Sequence, residues 1–69
     1  MTPPDASGDP GEILFELTAI GRSVKVVAIH AASGIEVSVT GPASAARSDL
    51  ERLALQKLLA RLSRERAPE

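Results

Sequence analysis

The single histidine, His30, is the side chain of this sequence best suited to acid–base chemistry near neutral pH. A general base needs an orienting group and a nucleophile or substrate within reach, and the nearby candidates for those roles are Ser33, Glu12 and Glu36. No nucleophile motif surrounds these residues. We therefore interpret His30 as a partly exposed histidine beside a turn, and we expect no enzymatic activity.

A pair of carboxylates, Glu16 and Glu36, is the second candidate for chemistry, because two such groups can serve as a general acid and a general base. Both fall on one predicted sheet face, in its outer strands. Acid–base work would also need a pocket that shifts one pKa, and a chain of 69 residues is too short to build one. We interpret both groups as solubilising charges and as cross-strand partners of Lys25.

Metal and phosphate chemistry is not indicated by the residue types. The sequence contains no cysteine, which excludes disulfides and thiolate metal sites, and one histidine cannot build an ordinary zinc site. Gly21, Gly34 and Gly41 are isolated turn residues, whereas loops that hold phosphates are rich in glycine and open a helix. The sequence therefore predicts no cofactor and no metal.

A basic stripe of Lys57, Arg61 and Arg64 follows one side of the predicted helix at positions i, i+4 and i+7. Such a stripe usually lies in solvent, but some DNA-binding modules also pack a three-stranded sheet on one helix. The net charge is −1, and Phe15 is the only aromatic residue, so stacking on bases has little support. Weak nucleic-acid binding through the stripe is therefore the alternative hypothesis for function.

Alternating apolar residues in the first part of the chain predict strands rather than a helix. Gly21-Arg22 fits a type II′ hairpin turn, and Gly34 can take the left-handed position in the four-residue loop before the third strand. Both turns place Val26 and Ala28 on the same sheet face, and this agreement supports an antiparallel meander. The predicted strands are residues 12–20, 24–30 and 35–40.

A change to three-and-four spacing after Gly41-Pro42 predicts a break in the sheet followed by one helix. Ser48 and Glu51 fit a capping box at its start, although Ser44 is an alternative first residue. The fold class predicted is α+β, in β-β-β-α order, with the helix packed on one sheet face. The residues predicted to face the sheet are Ala54, Leu55, Leu58, Leu59 and Leu62.

The chain is predicted to form one small domain with short ends. Residues 1–11 are rich in Pro, Gly and Asp, which is typical of a disordered tail, and they do not resemble a signal peptide. No segment approaches the length of a membrane span, so we expect a cytoplasmic protein. The predicted divisions are a tail at 1–11, a domain at 12–66 and a frayed end at 67–69.

Two apolar surfaces remain once the core is assigned. The sheet face opposite the helix carries Leu14, Val27 and Ile29, while Leu50 and Leu53 lie outside the centre of the helix's apolar arc. A domain of this size gains stability from burial between subunits. We therefore predict association with another protein or with a second copy as a homodimer, abolished by Val27→Glu and Leu53→Glu.

Seven short segments between Gly11-Glu12-Ile13 and Gly41-Pro42-Ala43 together resemble a known family of short alphaproteobacterial proteins classed as a domain of unknown function. The resemblance spans about residues 11–62, and its most specific part runs from Gly34 to Ala43 and into the leucine-rich helix. It implies a small cytoplasmic bacterial protein and supplies no activity or functional residue. The matching segments are Gly11-Glu12-Ile13, Phe15-Glu16, Val24-Lys25-Val26, Ala28-Ile29, Gly34, Glu36-Val37-Ser38-Val39 and Gly41-Pro42-Ala43.

Overall fold

The computed structural model describes residues 11–66, which form a three-stranded antiparallel sheet followed by one helix. The strands lie side by side in chain order, so the predicted α+β meander is confirmed. The predicted tail, apart from Gly11, and the predicted end at 67–69 lie outside the described residues. The elements are β1 (Ile13–Ile20), β2 (Ser23–His30), β3 (Glu36–Pro42) and α1 (Arg47–Arg66).

Glycines with positive φ close both hairpins, as predicted. Gly21 has φ of 60° and Gly34 has φ of 76°, values that L-residues with a side chain rarely adopt. The resulting register places Phe15 opposite Ala28 in the first hairpin. In the second, the His30 amide donates to the Ile35 carbonyl at 2.9 Å, which confirms their predicted proximity.

The prediction that Gly41-Pro42 breaks the sheet is wrong. Val24 pairs with Gly41 and Ser23 pairs with Pro42, so β3 continues to its proline. The backbone of Ala43 then donates to the Arg22 carbonyl at 2.8 Å. Proline is tolerated here because β3 is an edge strand, and the missing N–H belongs to a position that faces away from β2.

The helix begins one residue before the predicted capping box. Its first residue is Arg47, and the Ala46 carbonyl accepts hydrogen bonds from the Asp49 and Leu50 amides at 3.0 and 3.2 Å. Ser48 therefore lies inside the first turn and does not cap it. Glu51, expected to reach back to Ser48, instead accepts a hydrogen bond from the Arg47 guanidinium at 3.1 Å.

The core lies between α1 and the two strands that it mainly covers, β2 and β3. The helix prediction is partly wrong here, because Leu50 is only 6% exposed whereas Leu59 is 50% exposed. Gly41 gives the physical reason: its missing side chain leaves room for Leu50, so the first helical turn lies low on β3. The buried residues are Val26, Ala28, Val37, Leu50, Ala54 and Leu58.

Candidate functional site

The sheet face opposite the helix carries an apolar strip, as the alternation predicts. Leu14 lies directly opposite Ile29, and Val27 is the next residue of β2 on that face. Leu14 is 45% exposed, while Ile29 and Val27 are half-buried between their neighbouring strands. Ile20, which was not among the candidate interface residues, extends the face at its other end and is 59% exposed.

Charged residues on this open face are spread apart. Lys25 lies between Thr18 on β1 and Thr40 on β3, so it is not directly opposite either glutamate. Among residues 11–66 no ion pair joins Lys25 to Glu16 or Glu36, and the predicted cross-strand pairing is wrong. The two glutamates are also two strands and one pleat apart, which separates them too far for shared acid–base work.

Leu53 and Leu50 belong to different environments, although both were predicted as interface residues. Leu53 is 52% exposed on the outer side of the helix. Leu50 packs against Gly41 in the core and is removed from the candidate interface. Leu59 is a surface residue that the sequence assigned to the core. At 100° per residue it lies almost opposite Lys57 around the helix, on the side that faces β1.

The two edges of the sheet differ in how their backbone groups are covered. The Ala31 amide donates to the Glu12 carbonyl at 3.0 Å, and this bond shows which facing residues of β1 and β2 are hydrogen-bonded pairs. Neighbouring residues along β1 then alternate between the two sides of the strand, so the backbone groups of every second residue point to the outer edge. Those residues are Ile13, Phe15, Leu17 and Ala19.

The outer edge of β3 is contacted by one side chain of the helix. On β3 the outward groups belong to Glu36, Ser38 and Thr40, by the same alternation. The Lys57 ammonium crosses from the helix and donates to the Ser38 carbonyl at 2.7 Å. A lysine over an edge strand is a common protection against further strand pairing.

The basic stripe is divided by these contacts. Lys57 bonds the β3 backbone, and Arg61 pairs with Glu65 at 3.0 Å, the weak pair that the i, i+4 spacing predicts. Arg64 is exposed. Two of the three predicted nucleic-acid contacts are therefore already engaged within the protein, and the stripe offers a phosphate backbone less than its sequence suggests.

His30 forms a local contact in the turn after β2. Its Nδ1 and the Ser33 Oγ lie 2.7 Å apart in a hydrogen bond, and the same Oγ accepts from the Ile35 amide at 3.2 Å. Both side-chain bonds stay within six residues of an exposed loop. The arrangement braces the turn.

A shallow depression of about 450 Å³ lies at the opposite end of the sheet, beside the first hairpin turn. Arg22 is its one charged lining residue, and the others are small or apolar. One guanidinium in an open depression offers a single contact to an anion, so it does not define a binding site. The lining residues are Gly21, Arg22, Pro42, Ala43 and Ser44.

Within residues 11–66, histidine and acidic side chains do not gather in any group of three or more that could hold a metal ion. In the same part of the chain, α1 lacks the long apolar run that crossing a membrane would need.

Comparison with known proteins gives a family match without a known activity. No curated protein and no solved structure matches the chain. A family described as a domain of unknown function (DUF6898) matches residues 10–65, which includes the whole sheet and nearly the whole helix. The segment match expected from the sequence is thus confirmed at the level of a family of unknown function, and the chain belongs to that family.

Proposed function

We propose that this protein is a self-association module, a homodimer, whose contact surface includes the apolar strip on the open sheet face. The observation that carries the proposal is the exposure of Leu14, 45%, at a position directly opposite Ile29. Together with Val27 these residues form a contiguous apolar area with no covering element in the described part of the chain. Contiguous apolar surface on a small protein is typical of a protein–protein contact.

The small size of the hydrophobic core supports the same proposal. Only six of the residues that the structure describes form the buried core, and the helix lies mainly over two of the three strands. A core of this size gives little stability on its own, so burial against a second copy would stabilise the fold as well as the complex. No catalytic step enters the proposal, since His30 and Ser33 serve the turn between β2 and β3.

Charged substitutions on the two proposed surfaces test the proposal. Val27→Glu should shift the protein from dimer to monomer if the two copies pack through the centre of the open face, and Leu53→Glu should do so if they pack through the outer side of the helix, as measured by sedimentation at fixed concentration. Since a glutamate at position 27 would lie directly opposite Glu16, Val27→Lys is the safer companion variant: its charge is complementary within the subunit. An unchanged dimer in all three folded variants would restrict the contact to the edges of the sheet, and a monomeric wild-type protein would contradict the proposal.

We do not propose nucleic-acid binding as a second function of this protein. Lys57 donates to the β3 backbone and Arg61 pairs with Glu65, which leaves Arg64 from the predicted stripe.

The alphaproteobacterial origin and the cytoplasmic location expected from the resemblance belong to the proposal of a small bacterial association module. Detection of the chain in the soluble fraction of its native host would support that location, and recovery with membranes would contradict it.

A further inference from the structure

The unequal edges of the sheet suggest where the second copy binds. The β3 edge has Lys57 on the Ser38 carbonyl, and its last residue, Pro42, has no N–H to offer. The β1 edge has neither device: its outward backbone groups, at Phe15, Leu17 and Ala19, form no hydrogen bond with any described residue. An eight-residue strand with a free edge is a template for another strand.

We infer that β1 pairs antiparallel with β1 of a second copy, so that the two sheets become one six-stranded sheet with both helices on the same face. This inference rests on the proposed self-association and places the contact at the β1 side of the apolar strip, where Leu14 lies, while Val27 on the central strand stays outside it. Identical strands that pair antiparallel around a twofold axis form an isologous contact, in which each residue meets the same set of neighbours in both copies. A contact with this closed symmetry forms a dimer and adds no further copies through the same edge.

Charge excludes one register of the pairing. Outward backbone groups must meet outward groups, so the twofold axis passes midway between the two copies of one β1 residue, and the alternative registers differ by steps of two residues. The register centred on Glu16 places this residue opposite Glu16 of the second copy, and like charges directly opposite each other are unfavourable. The neighbouring register centres on Leu17, which places Glu16 opposite Thr18 instead.

The register centred on Leu17 also brings together the exposed apolar side chains. Leu14, 45% exposed, lies opposite Ile20 of the second copy, which is 59% exposed. These residues form a non-hydrogen-bonded pair, the type with the closer side chains. On the helix side, half-buried Phe15 meets Ala19 and Leu17 meets itself, and the helix covers this part of the sheet least.

A second copy fits this edge better than the chain's own N-terminal segment does. Residues 1–10 contain three prolines, Pro3, Pro4 and Pro10, and proline cannot donate to a ladder. The segment also precedes β1 directly, so it would have to reverse direction before pairing with it. β1 itself contains no proline and offers complementary donors and acceptors along its whole edge.

A matched pair of variants, Thr18→Glu and Thr40→Glu, tests the inferred geometry. Both threonines lie on the open face and directly opposite Lys25, one on each side of it, so each glutamate gains the same neighbour within the subunit. Only the glutamate at position 18 would meet Glu16 of the second copy. Thr18→Glu should raise the dimer Kd about tenfold and Thr40→Glu should leave it unchanged.

The outcomes separate the inference from the proposed function. Loss of affinity in Thr18→Glu alone, with recovery on adding Glu16→Gln, supports the β1 pairing. Equal loss in both variants would indicate contact through the open face, and no loss in either would place the contact elsewhere; both results overturn the inference while self-association stands. A wild-type monomer would overturn the proposed function itself. Far-UV circular dichroism of each variant establishes that it is folded.

Discussion

Leu50 occupies the space where a side chain at Gly41 would be: a Cβ built on Gly41 would lie 2.5 Å from the Leu50 Cδ2 atom. That contact brings the first turn of the helix down onto β3. It also explains why Leu50 is 6% exposed, although the helical periodicity placed it at the margin of the apolar arc. The two residues therefore fix the position of the helix across the sheet.

Gly41→Ala should destabilise the fold by about 1–3 kcal/mol, the usual range for an added methyl group in a packed core. Gly41 does not have positive φ, so the effect is steric and not a matter of backbone strain. The free energy of unfolding from urea titration measures it. In a double-mutant cycle with Leu50→Ala, the combined loss should be smaller than the sum, and strict additivity would contradict the contact.

Leu50→Ala and Leu53→Ala should differ in their effect on the free energy of unfolding, although the two leucines are only three residues apart. Leu50→Ala should lower the free energy of unfolding by about 2–5 kcal/mol, because it leaves a cavity in the core. Leu53→Ala, at a side chain that is 52% exposed, should change it by less than about 0.5 kcal/mol. Similar losses in thermal unfolding of both variants, held under conditions that keep them monomeric, would contradict the assigned burial.

Lys57→Gln should lower the free energy of unfolding by about 0.5–1 kcal/mol, because the glutamine is too short to reach the Ser38 carbonyl. The bond is exposed to solvent, which keeps its net contribution small. Arg64→Gln is the matched control, since it removes an exposed helix charge of the same sign. Equal stability of the two variants would mean that the lysine does not fasten the helix to β3.

His30→Ala should leave the oligomeric state unchanged and lower the free energy of unfolding by less than about 1 kcal/mol. The side chain bonds Ser33 within its own turn and lies at the end of β2 away from the proposed dimer axis. Ser33→Ala should have a similar effect, because it removes the other partner of the same bond. Dissociation of the dimer by either variant, measured by sedimentation, would show that the turn belongs to the interface.

The strands and their register were predictable from the sequence because local chemistry specifies them. Gly21 and Gly34 adopt the positive φ that their turn positions require. With both turns fixed, the side-chain alternation leaves one face for Val26 and Ala28, and the observed pairs are the predicted ones. The fold prediction therefore depended on two hairpin turns that independently indicate the same register.

The lateral position of the helix was not predictable by the same means. Periodicity gives the angles between Leu50, Leu58 and Leu59 around the helix axis, but not which strand each one meets. That choice depends on the gap at Gly41 and on the reach of Lys57 to Ser38, both of which are tertiary contacts. The difference between the two edges was missed for the same reason, because Lys57 reaches Ser38 only when the helix lies toward β3.

The most direct test of self-association is the mass of the wild-type protein in solution, measured by sedimentation over a wide concentration range at low and moderate salt. Apolar and backbone contacts are little affected by screening, so the account predicts a dimer whose Kd is nearly the same at both salt concentrations. A folded protein that stays monomeric at every concentration would contradict the account.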